Sequence, residues 1–222
     1  MQAHKYSGLF ISFEGGEGGG KGTQINFLKD DLGKLELVYD IAREPGGLIL
    51  SEKIRDLLLD GQYHKNIVTE LFLYSAARSE FVEHKVIPVI SKGNIFIADR
   101  FFDSTTAYQG YAGGIDLDFV YKVHEYATQN TKPDITFYLD VSPTIGLERA
   151  KKAKKEYEAG DWQESKPLSF HEKVRDGYLQ IAELEPERVK IIDVTQPPLT
   201  CYEQIKKYLN PLLLKKYGKE ML

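Results

Sequence analysis

FEGGEGGGKGTQ, Phe13 to Gln24, follows the apolar run Leu9-Phe10-Ile11 and leads into a stretch with helical patterning. From Gly15 the spacing is G-x-x-x-x-G-K, so Gly20 and Lys21 fill the last glycine and the lysine of a Walker A phosphate-binding loop. The chemistry follows from the residue types. Gly15, Gly16, Glu17, Gly18, Gly19, Gly20, Lys21, Gly22 and Thr23 bring backbone N–H groups around phosphate oxygens, and the helix that starts near Gly20 aims its positive dipole end at them. Lys21 adds a mobile point charge for the β and γ phosphates, so the loop implies a bound nucleoside triphosphate such as ATP. Gly22 stands where Ser or Thr normally ligates magnesium, and Thr23 comes one position late, which leaves the metal contact of the loop open.

Working outward from the loop, strand-like and helix-like segments alternate. Leu9 to Phe13 reads as a strand, Lys21 to Leu32 as a helix, Leu35 to Ile41 as a strand, and Leu50 to Leu59 and Val68 to Ser91 as helices. Asn94 to Ala98, NIFIA, is the short apolar run of a strand covered on both faces. Leu117 to Thr128 is helical, Ile135 to Asp140 is a strand, and Ser142-Pro143 is an N-cap with proline in the first turn of a helix that runs towards Ala159. Ser169 with Glu172 and Thr200 with Glu203 have the capping-box spacing and predict two further helix starts, with the strand Val189 to Asp193 between them. This alternation implies an α/β fold of right-handed βαβ units, a parallel sheet with helices on both faces, and a single domain over residues 1–222.

Length and charge narrow the class further. A chain of 222 residues can bury roughly 70% of its unfolded surface in one domain. The net charge of −4 offers no general attraction to nucleic acid, and no stretch is long and apolar enough to span a membrane. One cysteine, Cys201, excludes an internal disulfide and is expected to be a small packing residue in a reducing compartment, which with the absence of an apolar signal core predicts a cytoplasmic protein.

Three other segments carry chemistry. Asp99-Arg100 directly follows the NIFIA strand, where a Walker B carboxylate orients magnesium or its waters. Arg100, Arg78 and Arg43 supply guanidinium groups in or near strand-to-helix connections, suited to gripping a second phosphate. Arg149 to Pro167 is densely charged; it reads equally as a solvated helix end and as a mobile lid that closes over the transferring phosphate. Asn130 to Asp134, NTKPD, superficially matches the guanine-reading N-K-x-D of GTPases, but its spacing is N-x-K-x-D, and Asp99 does not continue as D-x-x-G. Both marks of a GTPase fail.

Asp99 to Gly110, DRFFDSTTAYQG, closely resembles the D-R-[FYH]-x-x-S-x-x-A-[FY]-Q signature of thymidylate kinases, and REPGG, IRDLLLDG and ELFLYSAAR resemble the segments that precede it in that family. The resemblance spans nearly the whole chain and separates it from adenylate kinases, whose loop also ends GKGTQ. It implies a three-layer α/β/α P-loop NTPase fold with a five-stranded parallel sheet, a lid over about 150–167, a homodimer, and magnesium-assisted transfer of the ATP γ-phosphoryl group to dTMP. By resemblance, Arg78 and Arg100 bind the acceptor phosphate with Arg43 close by, and Tyr74 stacks on thymine. Ser104 and Gln109 read its polar edge, Glu17 holds the sugar hydroxyl, Tyr108 crowds out a ribose 2′-OH, and Arg149 lies against adenine. Thr23 and Asp99 are the magnesium candidates, directly or through water. Gly18 after Glu17 resembles the mainly bacterial group that takes its catalytic arginine from the lid. Here, however, Trp162 follows Asp161 where such members often have arginine. One of Lys151, Lys152, Lys154, Lys155 and Lys166, or Arg149, is then expected to supply the transition-state charge. The alternatives are another nucleoside monophosphate kinase and a non-catalytic ATP-binding regulator; the paired arginines argue against the second, since an ATP sensor needs no second anion site.

Overall fold

The computed structural model describes residues 4–153, 162–163 and 165–222. Five parallel strands, β1 (Leu9–Glu14), β2 (Tyr39–Arg43), β3 (Ile95–Asp99), β4 (Ile135–Asp140) and β5 (Val189–Asp193), form one sheet in the order β2-β3-β1-β4-β5. The helices are α1 (Lys21–Lys34), α2 (Ile49–Leu59), α3 (Ile67–Phe81), α4 (Ile87–Ile90), α5 (Phe102–Thr105), α6 (Leu117–Ala127), α7 (Pro143–Ala153), α8 (Leu168–Leu184) and α9 (Pro198–Tyr217). Two wide π-helical turns, Val82–Val86 between α3 and α4 and Thr106–Ala112 after α5, complete the set.

Side-chain alternation along β1 builds the two sides. Leu9, Ile11 and Phe13 pack with Ile95, Ile97, Ile135 and Phe137 against Ile25, Leu28 and Leu32 of α1 and Ile205, Leu209 and Leu213 of α9. Phe10, with Phe96 and Ala98, faces Phe81, Val82, Val86 and Ile90 on the other side. All of Ile95 to Ala98 is buried because both faces of β3 are covered, as its unbroken apolar run requires. The order places β1 and β3 side by side, in register from Leu9↔Ile95 to Phe13↔Asp99, so the phosphate loop after β1 and Asp99-Arg100 after β3 emerge at the same edge.

Several expected boundaries move for physical reasons. Leu35 and Leu37 are not in a strand: the Leu35 and Leu37 N–H groups return to Asp31 and Leu32, Glu36 takes a left-handed φ of 52°, and both leucines pack on the core from this closing turn. β2 therefore begins only at Tyr39. The helix expected over Val68 to Ser91 widens at Val82–Val86, just ahead of Pro88, which has no N–H to return to the preceding turn. Ser169 and Thr200 are not helix caps. Pro167 and Pro197 occupy the cap positions of α8 and α9, starting each helix earlier than the capping boxes predict. The helix expected to run towards Ala159 is described to Ala153, and its remainder lies outside the described residues. Ser142 does cap it, accepting from the Ile145 N–H at 3.4 Å.

Asp134 of the rejected NTKPD segment has a structural task. Its Oδ2 accepts from the Phe10 N–H at 2.8 Å and lies 2.9 Å from His4 Nε2, tying the start of β1 to β4. No helix of the described residues is long and apolar enough to cross a membrane.

Candidate active site

The phosphate loop fills the turn between β1 and α1, with Gly15, Gly18 and Gly20 at positive φ. Gly18 cannot be replaced without displacement: a Cβ there would lie 2.0 Å from the Gly146 carbonyl oxygen, so the loop backbone rests directly on α7. At Gly22 a Cβ would meet nothing within 4 Å. Lys21 Nζ lies 3.5 Å from the Gly15 carbonyl oxygen, and its pKa is lowered by burial first and by Arg100 second.

Arg100 is the centre of the site. It holds a left-handed φ of 72°, with its N–H bonded to the Phe13 carbonyl at 2.9 Å. Its guanidinium donates to the Gly15 carbonyl at 2.7 Å, to Ser104 Oγ at 3.2 Å and to Glu17 Oε1 at 3.0 Å, and it lies over the Tyr108 ring. A non-glycine residue in this conformation persists only where its surroundings over-determine it, and here they do. Glu14, wholly buried beneath the loop, accepts from the Phe101 N–H at 2.6 Å, Ser104 Oγ at 2.6 Å and Tyr178 OH at 2.9 Å. Burial pushes its carboxyl up to about 7, Asp103 adding to the rise against the hydrogen bond of Ser104 and the charge of Arg100.

Glu17 faces Arg100 and Tyr108. Its Oε1 takes the Arg100 bond and one from Tyr108 OH at 3.3 Å. Burial works to raise its carboxyl, but Arg100 first and Lys21 second outweigh it and hold the group below the usual range. An acid inside a phosphate loop is thus kept ionised by the arginine it faces.

A cleft opens on this side, lined by Glu17, Glu44, Pro45, Arg55, Leu59, Tyr74, Arg100, Ser104, Thr105, Tyr108, Gln109 and Gln163. Of the residues expected to hold the acceptor, Glu17, Tyr74, Arg100, Ser104, Tyr108 and Gln109 come together here. Tyr108 and Gln109 arrive through the wide turn Thr106–Ala112, which packs on α8. Arg78 and Arg43 do not line the cleft. Arg78 is buried, donating to Glu44 Oε2 at 2.8 Å, Thr105 Oγ1 at 3.0 Å and the Phe101 carbonyl at 3.2 Å, so it braces two residues of the wall. Arg43 is exposed and paired with Glu52 at 3.0 Å.

A second cleft lies on the far side of the loop, lined by Gly19, Gly20, Thr23, Gln24, Arg149, Val194, Gln196, Pro198 and Cys201. Arg149 donates to the Val194 carbonyl at 3.1 Å, which spreads its guanidinium along this wall. Cys201 is buried, as a packing residue should be. Asp99 ends β3 in register with Phe13, and its Oδ1 is buried with no hydrogen-bond partner among the described residues.

Arg55, Gln163, Glu14 and Tyr178 are site residues that sequence reasoning missed. Arg55 lay in the quoted IRDLLLDG segment, where its arginine was the available signal. Gln163 had none beyond the charged segment around it. Of the expected lid cations, Lys166 pairs with Glu70 at 2.9 Å, Lys151 and Lys152 are exposed, and Lys154 and Lys155 lie outside the described residues.

Comparison with known proteins gives one answer. A family model described as thymidylate kinase matches residues 13–205. A thymidylate kinase of Clostridium novyi is 41% identical over 205 residues, covering 91% of this chain and 98% of that protein. One from Caldanaerobacter subterraneus is 42% identical over 206 residues, covering 93% and 97% respectively. Among solved structures, the thymidylate kinase of Ehrlichia chaffeensis superposes with a TM-score of 0.73 at 32% identity, covering 91% of this chain and 98% of that one.

Proposed function

The chain belongs to the thymidylate kinase family and transfers the γ-phosphoryl group of ATP to dTMP, giving dTDP and ADP, and we propose a division of this work between its two clefts. ATP lies along the phosphate loop, Gly15 to Thr23, with its base in the cleft beside Arg149. In the cleft of Tyr74, dTMP sits with thymine against that ring and against Ser104 and Gln109, its phosphate at Arg100 and Arg55, and its sugar at Glu17 and Tyr108. Arg78 holds Glu44 and Thr105 in the wall, and Arg43 adds positive charge at the rim. The observation that carries this reading is Arg100. It bonds the donor loop through the Gly15 carbonyl and the acceptor cleft through Glu17 and Ser104, so one guanidinium joins the two anion sites.

The chemistry asks for no general base. The second pKa of a phosphate monoester is near ~6, so dTMP is mostly a dianion at neutral pH and its oxygen is the nucleophile. The protein aligns two anions and neutralises the charge that spreads over the moving group, through the loop amides, Lys21 and Arg100. One of the lysines around 150–167, or Arg149, contributes the remaining positive charge from the covering segment. The acid at Glu17 followed by Gly18, with relatives that are bacterial, supports the group that draws this charge from the lid.

The residues fit magnesium. Asp99 Oδ1, buried at the end of β3 with no hydrogen-bond partner among the described residues, suits a hydrated divalent cation, and Thr23 lines the donor cleft. When bound, the ion neutralises charge on the β and γ phosphate oxygens.

The whole chain acts as one nucleoside monophosphate kinase unit in the cytoplasm, where its free cysteine stays reduced. It pairs with a second copy of itself through α3 and α6. Val68, Phe72, Phe119 and Tyr126 are exposed on these helices, and the Phe72 and Phe119 rings meet edge-on at 6.4 Å. Sedimentation equilibrium should return the dimer mass.

ADP release with ATP and magnesium across dTMP, dUMP, UMP, AMP, GMP and CMP tests the acceptor. dTMP should be much the fastest; a faster AMP would leave the donor site standing and overturn the acceptor cleft, and no release above a control without acceptor would overturn the transfer itself.

A further inference from the structure

Glu70, on α3, is one of the most completely enclosed carboxylates of the protein, at 1% exposure, yet it touches neither phosphate loop nor arginine cluster. Four side chains converge on it. Trp162 Nε1 donates to Oε1 at 2.7 Å, Lys166 Nζ lies 2.9 and 3.0 Å from the two oxygens, Gln163 Nε2 donates to Oε2 at 3.1 Å, and Gln109 Nε2 donates to the same oxygen at 2.9 Å. Three of these donors come from the segment at 162–166, and the fourth comes from the wide turn that forms the acceptor wall. Both glutamines line the acceptor cleft.

The surroundings reinforce the attachment. The Trp162 backbone N–H donates to the Leu59 carbonyl at 3.3 Å, and its ring meets His64 edge-on at 5.4 Å, with Lys65 Nζ 5.0 Å from its centroid. Lys166 lies over Phe170, 4.5 Å from the ring centroid. Trp162 therefore ties its own stretch of chain to Leu59 of α2 and Glu70 of α3.

An ionised carboxylate only accepts hydrogen bonds, so both glutamines must turn their NH₂ ends to Glu70. Burial works to raise the Glu70 carboxyl, but the Trp162, Lys166 and Gln163 contacts outweigh it and keep it below the usual range. With their nitrogens fixed, Gln109 and Gln163 hold their amide oxygens on the side away from Glu70. That polarity favours an acceptor edge offering a ring N–H, as the imide of thymine does, over the unprotonated ring nitrogen of cytosine.

Resting on the dTMP reading above, we propose that Glu70 is a positioning residue for specificity: it fastens Trp162, Gln163 and Lys166 to α3 and, through the same two oxygens, sets the orientation of Gln109 and Gln163 towards the acceptor base. Holding these side chains and orienting the base-reading amides then depend on one carboxylate. The loss of this acceptor-only partner frees both amides to rotate, without touching the donor side.

Glu70→Gln is the direct test, and Trp162, the single tryptophan of the chain, reports on it independently of turnover. In the variant, the emission of the ligand-free protein should shift, the KM for dTMP should rise about tenfold with the KM for ATP within about twofold, and the kcat/KM preference for dTMP over dCMP should fall about tenfold. A parallel rise in both KM values with an unchanged preference would mark Glu70 as merely structural and overturn the proposal. If Glu70→Gln does not fold, Lys166→Met removes one limb of the attachment and should move emission and preference in the same direction by about threefold; no change in either overturns it. If the parent protein turns over a different monophosphate, the dTMP reading fails by itself and the variants are scored on that acceptor, where an emission shift without a change in preference again overturns the positioning role.

Discussion

On the reading proposed above, the donor and acceptor clefts are built on opposite plans. The donor side is made of backbone: nine consecutive residues, Gly15 to Thr23, wrap one turn and need few side chains beyond Lys21 and Arg149. The acceptor side is made of side chains drawn from Glu17, Glu44, Arg55, Tyr74, the turn at 104–109 and Gln163, which meet only when the sheet and helices are assembled. A phosphate chain presents the same oxygens in every nucleotide, so a loop of amides recognises it without discriminating. A base must be distinguished from its competitors, and that takes polar groups held in fixed orientation by others behind them, as Glu14 holds Ser104 and Glu70 holds Gln109.

This contrast can be broken most severely at Lys21. Lys21→Ala should cut turnover about 10³-fold, because charge stabilisation of the transferring phosphoryl group is lost while no core residue changes. A coupled ADP assay beside a thermal scan checks both halves; a variant retaining half its activity would refute the role. Arg100→Lys comes next, with about 10²-fold lost from kcat/KM for dTMP. Lysine keeps the charge but cannot reach the Gly15 carbonyl and Glu17 at once with a planar fork. Equal values for parent and variant would mean that the bridge between the clefts is dispensable.

Tyr74→Leu should raise the KM for dTMP about tenfold and leave that for ATP unchanged, since only the acceptor wall loses an aromatic face. Steady-state kinetics with each substrate varied in turn would expose a shared effect. The smallest change concerns pH. Burial raises Glu14 from 4.5 to about 7, so the folded protein keeps a proton that the unfolded chain releases earlier. The stability it contributes is whole below about 4.5 and is lost as pH rises through about 7. Between pH 5 and 8 the melting temperature of the parent should fall by roughly 5 °C more than that of Glu14→Gln, which lacks this titration. Parallel melting curves across that range would place the proton elsewhere.

The legibility of the two clefts differs for the same reason. The donor loop is contiguous, so its chemistry can be read from FEGGEGGGKGTQ directly, and the buried β3 announces itself in NIFIA. The capping boxes at Ser169 and Thr200 point to the wrong helix starts because Pro167 and Pro197 hold the backbone at the start of each helix without a side-chain hydrogen bond, a signal that competes with the capping box. Leu35 and Leu37 look like strand residues because apolar content alone does not distinguish a strand from a turn packed on a core. In the acceptor cleft, DRFFDSTTAYQG pointed to Ser104, Tyr108 and Gln109 through resemblance, whereas Gln163, Glu70 and Tyr178 matter only through partners far away in the chain. Arg78 is the instructive case. Its guanidinium was legible as a phosphate ligand through resemblance, while its hydrogen bonds to Glu44, Thr105 and the Phe101 carbonyl are visible only in the fold.

The wide turn at Thr106–Ala112 has a consequence for how this sequence can change length. A π-helical turn carries more residues per revolution than an α-helix, and that surplus is what brings Tyr108 and Gln109 to the cleft while the same turn packs on α8. Deleting a single residue within it would let the segment rewind as an α-helix that absorbs the surplus, so the flanking helix would keep its phase while the side chains inside the turn lose the offset that carries them to the cleft. Gln109 would then leave Glu70, although no residue of the cleft had been replaced. Across this stretch the chain should accept exchanges at its outward positions and refuse any gain or loss of a residue, because the surplus residue of the turn is what holds Tyr108 and Gln109 at the cleft.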